Sequence, residues 1–336
     1  ANSAGMMEWL SLLIFVVSST YLVGRVFVQI RRQQRSYEEL PFPSQGWCLE
    51  GALSVPSAAD PRLPLLERSV GALVGIAVGD ALGAPRESLP VWRCNLRYGR
   101  RPALSRGIFR FMRRRGTVTD DTQQTWLVAQ AIGADGFDVD AIRASLLDCY
   151  SWRFGPGRGT EKAILATKRG EPVANSSQGN GASMRVAPLA VRFRADPDGL
   201  REAVAASAAV THPNKEAVFG AQLVAEITRC LLVDEPSPTE GGSEEWTRIL
   251  TAPRLVKPTG WIYDTVECAL AVYHRHETAW EEGLAELFKL GGDTDTVGAI
   301  YCSWVGAKHG ASCFGEVVHQ VQGTETLATS VFRLMD

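Results

Sequence analysis

Leu66, Val70, Leu73, Val74 and Ala77 recur at three- and four-residue intervals, the spacing that lays apolar side chains along one face of a helix. Gly71, Gly75 and Gly79 fall among them one helical turn apart, leaving a face bare enough for another helix to lie close. Apolar runs of similar character follow Thr119-Asp120-Asp121-Thr122 (Trp126, Leu127, Val128, Ala129, Ala131, Ile132) and Gly291-Gly292-Asp293-Thr294-Asp295-Thr296 (Val297, Ala299, Ile300, Tyr301, Trp304, Val305). Trp261 to His274 and Thr278 to Leu290 add two helical patterns, and 138–233 alternates such patterns with glycine-rich loops. No period-two alternation persists at length, so the chain is expected to be all-α, a compact single domain over 65–336.

Ahead of that domain the pattern changes. Residues 1–5 read as a cloning remnant before Met6 or Met7, and 6–30 as an N-terminal apolar helix. Trp9 to Gly24 carries no charge, and the apolar character continues to Ile30 with Arg25 and Gln29 interrupting it. This approaches a bilayer span if Arg25 snorkels, and Arg31, Arg32 and Arg35 behind it would hold the rest of the chain in the cytoplasm. The expectation is a transmembrane anchor in the inner (plasma) membrane through 9–30, with a cytoplasmic catalytic domain; a helix docked on protein is the alternative. Residues 31–64, with Pro41, Pro43, Pro56, Pro61 and Pro64, read as a linker or arm. Within the domain, 234–260 reads as a mobile surface loop, carrying Asp234-Glu235-Pro236-Ser237-Pro238 and Gly241-Gly242-Ser243-Glu244-Glu245.

The 336 residues are 45% hydrophobic and 21% charged with a formal net charge of −2, a globular balance with no polyelectrolyte character. The seven cysteines include no Cys-x-x-Cys pair, which argues against a disulfide framework or a zinc site and fits a reducing compartment. Charge is locally uneven: nine arginines stand between Arg93 and Arg115, and no acidic residue between Ser88 and Thr119. Few aromatics accompany them (Trp92, Tyr98, Phe109, Phe111), which disfavours a nucleic-acid groove. A solvated basic face, or a positive rim that draws a pyrophosphate or an acidic protein surface towards the adjacent aspartates, fits better.

The two acidic clusters carry the candidate chemistry. Asp and Thr make good N-caps, so one such cluster before a helix needs no explanation beyond capping. A helix start uses a single cap, however, and the surplus carboxylates repel one another unless solvated or neutralised. Hard oxygen donors suit Mg²⁺ or Mn²⁺ and not zinc. Thr119, Asp120, Asp121, Asp293, Asp295 and Thr296 are therefore the expected ligands of two divalent cations in a binuclear metal cleft. Of the glycine loops, Gly155-Pro156-Gly157-Arg158-Gly159-Thr160 lacks the Gly-Lys-Ser/Thr ending of a P-loop. The other, Gln178 to Met184 ahead of a helix expected from about Arg185, reads as a turn or as a place where backbone N–H groups meet an anion.

With these residues in hand, the chain resembles the ADP-ribosylglycohydrolase family, helical enzymes that remove ADP-ribose from modified targets. The resemblance rests on an ordered set: the run from Gly71 to Gly83 that contains Gly79-Asp80-Ala81-Leu82-Gly83, then Glu87, Thr119-Asp120-Asp121-Thr122, Gly179-Asn180-Gly181-Ala182-Ser183-Met184-Arg185, Thr211-His212-Pro213 and Gly291 to Thr296. It implies the same compact helical fold and a metal-dependent hydrolase cleaving the glycosidic C1 bond of ADP-ribosylated protein, with arginine among the linkages it allows. It implies Glu87, Asp120 and Asp121 as catalytic carboxylates, with Asp121 or Glu87 steering or deprotonating water. It further implies Gly179, Asn180, Gly181, Ala182, Ser183, Met184 and Gly157 around the substrate, His212 as a ligand contact, and Trp152 as an aromatic near adenine. Two rival readings carry distinct sequence expectations. A catalytically silent relative would have lost acidic ligands, whereas all are present; an antidote that also blocks an ADP-ribosylating toxin would use the N-terminal extension.

Overall fold

Beyond its first two turns the helix Leu63–Gly83 is small and apolar apart from Asp80 and buried from Ser69 to Gly83, so that part has no face suited to water and becomes the centre of the fold. The computed structural model describes residues 62–87, 89–105, 115–134, 136–148, 157–173 and 177–335. In chain order the elements are α1 Leu63–Gly83, α2 Val91–Tyr98, α3 Asp120–Gln130, β1 Ile132–Gly133, β2 Gly136–Phe137, α4 Val139–Asp148, α5 Arg158–Lys168, α6 Ala187–Arg192, α7 Pro197–Ala209, α8 Lys215–Val233, α9 Glu244–Thr251, α10 Ile262–Arg275, α11 Trp280–Leu290, α12 Thr294–His309 and α13 Thr324–Met335. Turns of 3₁₀ helix fall at Ser183–Arg185 and Ala311–Gln320. The expected all-α class holds, with one antiparallel hairpin of two-residue strands as the only sheet among the described residues.

α1 lies antiparallel against α12, itself buried from Thr294 to Ala307. The contact is backbone on backbone. A methyl group on Gly71, Gly75, Gly79 or Gly83 would sit 2.3, 2.3, 2.0 or 2.2 Å from the carbonyl oxygens of Gly306, Cys302, Gly298 and Thr294 in turn. The glycine row seen in the sequence is thus a close-approach face, and Gly83 extends it to the first turn of α12. Helices α3, α8, α10, α11 and α13 pack around this pair. The crossing sets the C-terminal turn of α1 beside the N-termini of α3 and α12, which carry the two acidic clusters.

Three expectations need correction or fall elsewhere. The stretch 234–260 is no continuous loop: Ser243 accepts a hydrogen bond from Trp246 N and starts α9, whose Trp246, Ile249 and Leu250 are buried. Glu267 of α10 ties this segment down, accepting from Arg248 and Arg254 at 2.7 Å each. The helix expected from about Arg185 begins instead at Ala187, after the 3₁₀ turn. The transmembrane expectation is corrected: among the described residues no helix is long and apolar enough to cross a membrane. The stretch 9–30 that prompted it lies outside the described residues, as do the rest of 1–61 and Trp152.

Candidate active site

Asp80 is the charged residue in the run from Ser69 to Gly83, and it is fully buried. Its carboxylate accepts from Thr119 N at 2.8 Å, Thr119 Oγ1 at 2.9 Å, Thr122 N at 3.3 Å and Thr122 Oγ1 at 2.6 Å. An aspartate of α1 thereby satisfies free N–H groups at the start of α3 and fixes the first acidic cluster to the central helix. Thr119 Oγ1 also stands 3.0 Å from Asp121 Oδ2 and accepts from Asp121 N.

The second cluster is placed differently. Gly291 and Gly292 both take positive φ, and a Cβ on Gly292 would sit 2.0 Å from the Pro258 carbonyl oxygen, so only glycine lets this turn pass beneath 257–260. Asp293 precedes α12 without capping it; its Oδ2 accepts instead from Asn180 Nδ2 at 2.7 Å. Asn180 also donates its N–H to Gly260 at 3.1 Å, while Ile262 donates to Gln178 at 2.9 Å, so the glycine loop is stitched to the segment leading into α10.

These segments enclose a cleft of about 420 Å³, within the ~300–1,000 Å³ typical of small-molecule sites. Of the residues singled out from sequence, it brings together Glu87, Asp120, Asp121, Gly157, Gly179, Asn180, Gly181, Met184, His212, Asp293, Asp295 and Thr296. Thr119, Ala182 and Ser183 lie behind the wall: Thr119 faces Asp80, and Ser183 Oγ donates to the Asn180 carbonyl at 2.7 Å, closing the turn.

The electrostatics of the cleft are dominated by surplus negative charge. Burial first, then the Asp295 and Asp80 charges, raise Asp120 and Asp121 well above the usual carboxylate range. Burial and Asp293 do the same to Asp295, and burial raises Asp293. The N-termini of α3 and α12 offset part of this. Asp121 Oδ1 and Asp295 Oδ1 are buried and accept no hydrogen bond. Buried acceptors without donors, on carboxylates that repel one another, are what a hard cation would relieve, so the donor set fits a divalent ion. Among the described residues no three His, Cys, Asp or Glu groups stand close enough to hold an ion alone, so hydroxyl and water oxygens would have to complete its shell.

One buried cation backs the cluster. Arg185 donates to Gln124 Oε1 at 2.5 Å, and Gln124 Nε2 donates to Asp120 Oδ2 at 2.8 Å. On its other side Arg185 donates to the Ser207 carbonyl at 2.7 Å and to Thr211 Oγ1 at 2.9 Å. Burial lowers Arg185 to about 10, with the Asp120 charge opposing. Thr211 Oγ1 lies 2.8 Å from His212 Nδ1; a hydroxyl donating to that nitrogen would leave the proton on Nε2. Burial, then Arg185, push His212 down to about 3, so the ring is neutral. Its edge explains the glycines: a Cβ on Gly181 would sit 2.6 Å from His212 Cε1, and one on Gly179 3.3 Å from Nε2.

The sequence profile of the ADP-ribosylglycohydrolase family matches residues 61–336. The chain belongs to the ADP-ribosylglycohydrolase family. It is 29% identical over 304 residues to the Escherichia coli (strain K12) protein YegU, covering 73% of this chain and 89% of that protein. It is 27% identical over 257 residues to the ADP-ribosyl-[dinitrogen reductase] glycohydrolase of Rhodospirillum rubrum, 73% of this chain and 86% of the relative. It is 26% identical over 283 residues to the ADP-ribosylarginine hydrolase Tri1 of Pseudomonas putida (strain GB-1), 74% and 72% of the two chains. A solved ADP-ribosylglycohydrolase-related protein complex superposes with a TM-score of 0.66 at 27% identity, covering 81% of this chain and 99% of that one.

Several cleft residues of this ADP-ribosylglycohydrolase chain escaped the sequence reading. Thr160, in the first turn of α5, lines the cleft beside Gly181 with a buried hydroxyl that has no partner. Lys257, Pro258, Thr259 and Gly260 form the opposite rim, and Lys257 is the one lysine or arginine among the described lining residues. The latter signal lay in the very segment read as a surface loop. Asp80 had a usable signal, a lone charge inside an otherwise apolar glycine-rich helix.

Proposed function

We propose that this chain hydrolyses the glycosidic C1 bond joining ADP-ribose to a modified protein, with two divalent cations held between the acidic clusters. The observation that carries the reading is the meeting of two carboxylate clusters, far apart in sequence, in one cleft with the Gly179–Met184 loop. The relatives that act on ADP-ribosyl-dinitrogen reductase and on ADP-ribosylarginine favour an arginine-linked protein substrate.

Asp120, Asp121, Asp293 and Asp295, with Thr296 and water, are the residues that would hold Mg²⁺ or Mn²⁺; Thr119 would act through Asp121. When bound, the ions supply charge neutralisation, a grip on ribose hydroxyls and a more acidic water. Asn180 fixes Asp293, and Gln124, braced by Arg185, fixes Asp120. The diphosphate would take the N–H of Gly181, since those of Asn180 and Ser183 are committed to carbonyls. His212 would donate from Nε2, Thr160 from its unpartnered hydroxyl, and Lys257 would meet the phosphates from the rim. Glu87, exposed at the lip, would accept the proton of the attacking water as the bond to the leaving group breaks, and the clustered carboxylates favour the oxocarbenium-like ribose that develops.

The test is hydrolysis of a panel of defined ADP-ribosyl conjugates in Mg²⁺ and in excess EDTA. Turnover should stop on chelation, and Asp295→Ala should abolish it with the helical circular dichroism unchanged. Undiminished activity in EDTA refutes the metal role.

A further inference from the structure

We propose that the outward face of α2 is a docking surface for an acidic segment of the modified protein, placed beside the cleft so that the attached ADP-ribose drops in. This rests on the reading of the cleft given above. α2 begins just after Glu87, and its first residue, Val91, packs on the turn that carries Asp293: a Cβ on Gly291 would sit 2.9 Å from Val91 Cγ2.

The helix is firmly seated although little of it is buried. Cys94 is its buried residue. Buried Arg86 donates to the carbonyls of Tyr98, Gly99 and Arg101 at 3.3, 3.1 and 3.2 Å, holding the C-terminal end of α2, and its guanidinium lies 4.4 Å from the centre of the Phe288 ring. A helix this well anchored from below presents a fixed surface above.

That surface combines apolar and basic groups. Trp92 and Leu96, one turn apart, are 63% and 82% exposed, two of the four exposed large hydrophobic side chains among the described residues. Arg93 stacks over Trp92 at 5.1 Å, Arg97 follows one turn on, and Arg100 and Arg101 continue the positive strip. Tryptophan and arginine at one exposed position are the residues most enriched at protein interfaces. The stretch from Ser88 to Thr119 holds nine arginines and no acidic residue, so the complement is an acidic segment carrying an apolar side chain. A second copy of the chain fits poorly, because a two-fold contact would set the same arginines against one another.

The experiment uses the full chain and two peptides bearing ADP-ribosylarginine, one flanked by Asp, Glu and a leucine, the other by Lys and Ser, with free ADP-ribosylarginine as the small substrate. Arg93→Glu/Arg100→Glu and Trp92→Ser/Leu96→Ser should each raise KM for the acidic peptide at least tenfold, leaving kcat and hydrolysis of free ADP-ribosylarginine unchanged. KM for the acidic peptide alone should rise with salt. A fluorescent acidic peptide should bind the wild-type chain in EDTA and lose affinity in both variants. Unaltered peptide kinetics and binding in the variants overturn the proposal, as do variants impaired only towards anionic vesicles or duplex DNA. Binding that depends on α2 without any hydrolysis by the wild-type chain keeps the docking surface and removes the reading of the cleft.

Discussion

Gly79→Ala tests whether the α1–α12 crossing holds the acidic clusters in register. The added methyl would lie 2.0 Å from Gly298 O and 2.3 Å from its carbonyl carbon, both backbone atoms that no rotamer can move aside. Carbon–oxygen contacts between helices close to about 3.3–3.6 Å, so the helices must part by more than ~1 Å at this level. Overpacking of this kind costs roughly 1–3 kcal/mol or more, and parting the helices also sacrifices contacts along the rest of the row. Gly75→Ala meets a similar clash, 2.3 Å from Cys302 O, but one turn further from Asp80 and Asp295. Urea unfolding followed by circular dichroism should show both variants destabilised. Mn²⁺ binding to the folded fraction, followed by electron paramagnetic resonance, should weaken markedly more in Gly79→Ala. An unfolding free energy for Gly79→Ala within about 0.5 kcal/mol of the parent, the usual range for an innocuous surface change, would refute the close-approach argument.

Other outcomes follow from the charges. The cleft aspartates are raised above their ordinary values in the fold, so their contribution to metal-free stability is present at low pH and lost as pH climbs through the raised values. Asp295→Asn should accordingly raise the thermal midpoint of the metal-free protein near pH 7 while abolishing hydrolysis, and differential scanning calorimetry with and without Mg²⁺ checks it. Burial pulls Glu267 upward, but hydrogen bonds from Arg248 and Arg254 prevail and bring it from 4.5 to about 2, so its contribution is lost as pH falls from about 4.5 to 2. Glu267→Gln should flatten the acid limb of the denaturation curve over that window. His212, held at about 3, should show no ring titration by NMR from pH 8 down to the onset of unfolding. Thr160→Val should raise KM for ADP-ribosylarginine several-fold with kcat nearly unchanged, as expected for loss of a uniform binding contact.

Much of this architecture is written locally. The row Gly71, Gly75 and Gly79 announced a close helix contact, and the carboxylate–hydroxyl clusters announced helix starts, because spacing and capping chemistry are short-range properties. What sequence could not show were contacts decided by tertiary placement. Asp80 reads as a helix residue until α3 arrives to donate to it, Asn180 reads as a turn residue until Asp293 lies beneath it, and Thr160 sits in what looked like an unremarkable glycine loop. α9 was hidden because its buried Trp246, Ile249 and Leu250 span barely two turns behind Gly241-Gly242, too short for periodicity to outweigh the turn signal.

The antiparallel contact of α1 with α12 joins the first described helix to one near the C-terminal end of the chain. While the polypeptide emerges from a ribosome, Asp80 and the first cluster are therefore present long before Asp293 and Asp295, and no nascent fragment ending ahead of α12 possesses a whole cleft. Such long-separation pairing is slow to form, so the cleft is among the last features of the fold to be completed.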